Sequence, residues 1–401
     1  MSCRRLPSAS SFRPTRIISA RAACLALFLA AVATTSLAKA GQDYLFVWAR
    51  DDDGQQSDFL AVLNAANGEV MATEPTGTKG SFSHHTEHRM PAGGLLFANG
   101  FGAGRTWIFD LRKPLKPSVL ADFGDANGIM HAHSFERLPN GNVLATYQRG
   151  DHHNTTPGGL AEISKDGRIL RTSSAFDPTN KTFIRTYSLA IVPKLDRVVT
   201  TTADMDSKGV AETVQVWRLS DLKLLHTVPL PPGPRGKEHQ DSAEPRLLPD
   251  GRTVLVNTFN CGLYRMAGLD TESPHATLVH DFGTGECALP VVSGHYWVQT
   301  DTGLPGLVSL DISDPAKPRV ADRLTLGPGE EPHWISLAPD GRRIVFSSGR
   351  NALKHKLKMA RIDPASGKLT LDRSFAVTFD RKSWPHGDSG PAVPHGAVFS
   401  R

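Results

Sequence analysis

The chain has 401 residues, with 45 Lys and Arg against 40 Asp and Glu, a formal charge of +5. Six of the basic residues and no acidic one fall within the first forty, so the remainder holds 39 basic against 40 acidic residues and is close to neutral. That balance, with no basic run interleaved with aromatics, argues against nucleic acid as a partner.

Residues 1–40 read as a secretory leader: Arg4, Arg5, Arg13, Arg16 and Arg21 precede the apolar run Ala22–Val32, and Ala38-Lys39-Ala40 supplies small residues before Gly41. The run is too short to span a bilayer and no later stretch reaches that length, so a soluble, periplasmic or secreted protein is expected. Cys3 and Cys24 belong to the leader. Cys261 and Cys287 remain for an oxidising compartment, as a disulfide or as two separate buried thiols.

From residue 41 to 401 a single domain is expected, because one pattern recurs along it. Turn markers stand at Pro91-Ala-Gly, Pro139-Asn-Gly, Pro193-Lys-Leu-Asp, Pro249-Asp-Gly, Val292-Ser-Gly, Pro339-Asp-Gly and Pro394-His-Gly, 43 to 56 residues apart. A short β-rich run follows each, and further strands such as Thr106–Leu111, Val214–Leu219, Leu307–Ile312 and Lys358–Asp363 come later in the units. Seven units of this length predict an all-β fold, a seven-bladed β-propeller. Tyr44–Trp48 and Phe59–Asn64 lack a turn unit ahead of them, and the C-terminal unit Pro385–Phe399 lacks partners, so pairing of N- and C-terminal strands should close the ring without an open edge.

Histidines keep phase with the turns. His85, His133 and His333 each lie six residues before their turn proline, and other units place Tyr187, His239 or Glu244, Glu286 or Cys287, and His386 or Asp388 upstream of theirs. Residues beside the innermost strands of a propeller converge on its channel, and several imidazoles there suit copper, zinc, iron or nickel. The other reading is of channel polar groups that hold water. His84-His85-Thr86-Glu87-His88 is not a zinc-protease motif, since Pro91, Gly93 and Gly94 forbid the helix such a motif needs. Asp241, Glu244, Glu330 and Glu331 are candidate carboxylate partners for the rings.

The His84-His85 pair, the His131-x-His133 unit before Leu138-Pro-Asn-Gly-Asn-Val-Leu144, the entry Leu247-Leu-Pro-Asp-Gly-Arg252 followed by Asn257, and Leu310-Asp-Ile-Ser-Asp-Pro315 together resemble the selenium-binding protein and methanethiol oxidase family. The resemblance runs from about Phe82 to the C-terminus. It implies a seven-bladed propeller and, in copper-dependent members, oxidation of methanethiol with O2 to formaldehyde, hydrogen sulfide and hydrogen peroxide. It implies His85 and His133 as metal ligands with His84 beside them. Phase adds His333, and position ahead of the Pro249 turn adds His239. His84, His88 and His131 would orient ligands or shuttle protons, and Glu244 is the expected carboxylate partner. The cysteine-rich segment that family members carry after the His-His pair is missing, since Arg89–Gly104 holds no Cys.

The expectation is thus a monomeric, exported propeller with copper, or zinc, in its channel, acting with O2 on a small substrate that includes thiols. The alternative is a non-catalytic propeller that binds a protein or cell-envelope ligand.

Overall fold

The structure is a computed structural model and describes residues 42–180, 184–206, 209–349 and 351–400. The leader expected at residues 1–40 lies outside the described residues. Among them, no helix is long and apolar enough to cross a membrane.

Seven four-stranded antiparallel sheets form the blades of a propeller. Blade 1 runs outward through Ser83–Thr86, Leu95–Gly100, Arg105–Asp110 and Ser118–Phe123, and five further blades follow in chain order. Blade 7 is composite: Ala392–Phe399 is its inner strand, and Tyr44–Asp51, Ser57–Asn64 and Val70–Lys79 lie outside it. The closure expected from the termini is therefore present, with Val47 opposite Ala397 and Ala49 opposite Pro394.

Burial follows from this stacking. The middle strands are covered on both faces, so Leu96–Gly100 and Val254–Thr258 are buried along their length, whereas the outermost Ser118–Phe123 alternates between exposed and half-buried. The core is a circle of interfaces between neighbouring blades. Phe97 and Ile108 of blade 1 meet Phe135, Val143 and Ala161 of blade 2, while Trp48 and Phe46 of blade 7 close on Trp107 and Phe109 of blade 1.

One irregularity repeats on the inner strands and decides what faces the channel. Between Ser83, opposite Gly100, and Thr86, opposite Ala98, the inner strand carries one residue more than its partner. The same one-residue excess falls between Ala132 and Phe135, Ser242 and Pro245, Cys287 and Pro290, Pro332 and Ile335, and Pro394 and Ala397. Each is a β-bulge, which turns two consecutive residues out of the regular pleat. The bulged pairs are His84-His85, His133-Ser134, Ala243-Glu244, Ala288-Leu289, His333-Trp334 and His395-Gly396; Tyr187-Ser188 stand at the same point of blade 3, just ahead of its inner strand Leu189–Val192.

The second strand pins most of these pairs. Asn99 Oδ1 accepts the His85 N–H at 2.6 Å, and its Nδ2 donates to the Ala132 carbonyl of the next blade. Asn257 does the same for the Glu244 N–H (3.2 Å) and the Ala288 carbonyl (2.8 Å). Thr146 accepts from the Ser134 N–H and donates to the Tyr187 carbonyl. The amides that a bulge leaves without a ladder partner are thereby satisfied, and adjacent blades are tied at the level of the channel.

Two readings of the sequence change here, at Pro394 and in blade 5, and two left open are decided, in blade 4 and at the cysteines. Pro394-His395-Gly396 lies within the inner strand of blade 7 and is not a turn. Blade 5 presents Ala288 and Leu289 in place of Glu286 or Cys287, and blade 4 presents Ala243 and Glu244. Cys261 and Cys287 are joined in a disulfide, with Cα atoms 5.1 Å apart.

Candidate metal centre

The bulges bring His84, His85 and His133 together: one ring nitrogen from each lies within 4.8 Å of the others. His84 Nε2 and His133 Nε2 are 3.1 Å apart. The His395 ring centre is 4.3 Å from that of His84, and the His333 ring centre is 5.0 Å from that of His395. Tyr187 packs on His133 at 3.9 Å, and Trp334 meets His85 edge-on at 4.9 Å, so aromatic walls enclose the imidazoles.

The hydrogen bonds orient the rings. His133 Nδ1 lies 2.8 Å from the Tyr187 carbonyl oxygen, which can only accept, so Nδ1 carries the proton and the Nε2 lone pair faces the cluster. His85 Nδ1 meets Ser134 Oγ at 3.0 Å. His84 Nδ1, His85 Nε2 and His395 Nδ1 are buried without a hydrogen-bond partner. Burial, reinforced by the neighbouring imidazoles, holds His84, His85 and His395 well below the ordinary histidine range, and burial takes His133 to about 4. The rings are neutral at pH 7, the state in which imidazole ligates a metal.

These features suit a bound metal ion. Buried polar atoms rarely go unpaired, yet His84, His85 and His395 each keep one buried ring nitrogen without a hydrogen-bond partner. Two nitrogens bound tetrahedrally to one ion at about 2.0–2.1 Å would lie about 3.3 Å apart, near the observed His84–His133 spacing. An all-imidazole set with no thiolate suits copper or zinc.

Below the cluster, His88 stacks on Trp334 with ring centres 4.9 Å apart. Its Nε2 lies 3.6 Å from Glu244 Oε2 and 3.3 Å from Arg246 Nη2. Glu244 also accepts from Ser188 Oγ and Arg246 Nη1, each at 2.7 Å. Burial alone would raise this carboxyl, but Arg246, with His88 and Ser188, outweighs it and holds Glu244 at about 2. The channel widens on both sides. One cavity of about 670 Å3 reaches His84, His333, His395 and Tyr187, and the opposite one, of about 690 Å3, reaches His88, Glu136 and Arg246.

Of the residues singled out in the sequence, His84, His85 and His133 meet, His333 lies beside His395, and Glu244 lines the level beneath. His239 does not join them: it precedes the inner strand, and its Nε2 is 3.1 Å from Glu212. His131 stands outside the group, with Nδ1 on the Phe101 carbonyl at 2.8 Å and Nε2 3.1 Å from Arg149. His386 packs against Phe59 and bonds Thr73. The residue missed is His395, whose Pro-x-Gly setting imitates a turn.

Fold and site together define a seven-bladed propeller with a buried cluster of imidazoles in its channel. The resemblance read from the sequence holds: 147 residues are 28% identical to a methanethiol oxidase of Hyphomicrobium. That match takes in 34% of this chain and 33% of the relative, so it spans about a third of each. No protein-family model matches the chain. Among solved structures, a hypothetical selenium-binding protein of Sulfolobus tokodaii superposes with a TM-score of 0.74 at 15% identity, over 90% of this chain and 94% of that one. A periplasmic gluconolactonase of Pseudomonas aeruginosa superposes with a TM-score of 0.61 at 16% identity, over 89% and 98%. At these identities the likeness concerns the fold alone.

Proposed function

We propose that this chain is an exported copper-dependent oxidase of small substrates, with His84, His85, His133 and His395 holding the metal. The observation that carries the reading is the meeting of His84, His85 and His133 at the bulges, one ring nitrogen of each within 4.8 Å of the others, with the His395 ring against that of His84. Copper held there would pass electrons from a substrate to O2. The partial likeness to methanethiol oxidase supports an oxidase, with a thiol among the substrate candidates, and the Arg-rich leader supports export.

The chain's own residues have separable tasks. The Tyr187 carbonyl and Ser134 hold the His133 and His85 rings in place. Glu244, ionised and braced by Arg246, sets a fixed negative charge beneath the cluster, and His88 lies between that charge and His85. Trp334 and Tyr187 keep bulk water from the sides. His239 and His131 have no part in the centre.

The test is the metal content of the purified protein by mass spectrometry, beside a His84→Ala/His133→Ala variant. Stoichiometric copper that the variant loses supports the oxidase. Zinc in its place points to hydrolytic chemistry, and no metal in either protein overturns the reading in favour of a binding propeller.

A further inference from the structure

The cavity over the histidines is much larger than a one-carbon thiol requires. At about 670 Å3 it falls in the range that encloses multi-ring organic ligands. Its walls are also unlike those of a simple gas or thiol entry. Phe82 and Val210 line it while remaining 38% and 51% exposed, and Phe259 and Met205 continue the apolar surface. Phe82 holds a left-handed backbone (φ 56°), which is costly for a bulky aromatic and keeps its ring over the cavity mouth, 6.0 Å from that of His84.

The charges at the mouth favour one sign. Arg50 lies with its guanidinium 4.6 Å over the Phe82 ring, already engaged by that face. Asp204 is neutralised by Arg185 at 3.2 Å. Asp241 is different. Its carboxylate accepts the Ala211 N–H at 3.2 Å and lies 3.5 Å from the Asn260 amide, and no basic side chain pairs with it among the described residues. Burial, then the neighbouring Asp204 and Glu212, push its pKa up.

We propose that this cavity binds an amine with an extended apolar body, of the arylalkylamine class, its ammonium at Asp241 and its hydrocarbon against Phe82, Val210 and Phe259. The ammonium supplies a counter-charge to Asp241, which no basic side chain pairs among the described residues, and the ring fills the apolar mouth. The inference rests on the oxidase reading only in taking the bound amine as substrate; binding itself needs neither metal nor turnover.

Isothermal titration of the full chain, metal-free and metal-loaded, with phenethylamine, phenylpropionate and methylamine tests it. Phenethylamine should bind at least about tenfold more tightly than either comparison ligand. Asp241→Asn should weaken phenethylamine about tenfold and leave phenylpropionate no worse; asparagine tolerates the left-handed backbone at this position (φ 58°), so the fold is kept. Phe82→Asn, which tolerates its backbone likewise, should weaken it comparably. Failure of phenethylamine to bind, equal or tighter binding of the carboxylate, or indifference to Asp241→Asn would overturn the proposal. Metal content measured on the same samples separates the two claims: amine binding without metal uptake sinks the oxidase alone, and metal uptake without amine binding sinks the chamber alone.

Discussion

The Nε2 atoms of His84 and His133 face each other at 3.1 Å inside the protein, a distance at which two imidazolium rings cannot coexist. Neutral rings are therefore a condition of the folded centre, and acid acts against it.

This sets the pH dependence of the metal-free protein. The folded His133 ring titrates at about 4, against 6.5 when free, mainly through burial. Its contribution to stability is complete above pH 6.5, declines as pH falls through that value and is lost below about pH 4. One group with this shift is worth on the order of 3 kcal/mol, and His84, His85 and His395 act in the same direction. Urea midpoints should fall steadily between neutral and acidic pH, and His133→Gln should flatten the slope. A midpoint unchanged across that window contradicts the neutral cluster.

Asn99 joins the His85 bulge to the next blade, whereas Asn257 performs the same service beneath Glu244. Asn99→Leu leaves two buried backbone groups unpaired and should cost about 2–4 kcal/mol. Asn257→Leu should cost a similar amount. Only the first is expected to weaken metal binding, which competition with a chelator would measure.

Glu244 and Arg246 form a buried pair at 2.7 Å, with side chains 0% and 13% exposed. Glu244→Leu alone should destabilise by about 3–5 kcal/mol, because it leaves the guanidinium buried without its partner. The double variant Glu244→Leu/Arg246→Met should regain most of that loss in denaturant titrations.

The Cys261–Cys287 disulfide closes a loop of 26 residues between blades 4 and 5. By the chain-entropy argument Cys261→Ser/Cys287→Ser should lower stability by about 3.5 kcal/mol. Comparing thermal unfolding of the double variant with that of the parent under reductant checks this, since both should reach the same lowered midpoint.

The architecture was legible in the sequence because turn spacing is set by blade size, and the composite blade because unmatched strands at both termini left no other closure. The centre was legible in part. Counting from the prolines made His85 and His133 equivalent, whereas the bulges pair His133 with His84. The Pro91 turn begins five residues after Thr86, and the Pro139 turn four residues after the corresponding Phe135, so the count slipped by one. His239 was misplaced because the inner strand of blade 4 begins only at Ser242. His395 was hidden by its flanking Pro394 and Gly396. Bulges have no compositional signature of their own, and in these inner strands they, rather than the turns, choose which side chains see the channel.

The composite blade also sets an order of events. His395 is carried by the strand that locks the ring shut, so the closure of the propeller and the completion of the histidine group fall to the same strand. Until that strand docks beside Val47, the propeller has both an open edge and an unfinished centre, and neither defect can be repaired without the other. A chain trimmed before Ala392, or one whose C-terminal strand is prevented from inserting, would lose closure and ligation in a single step.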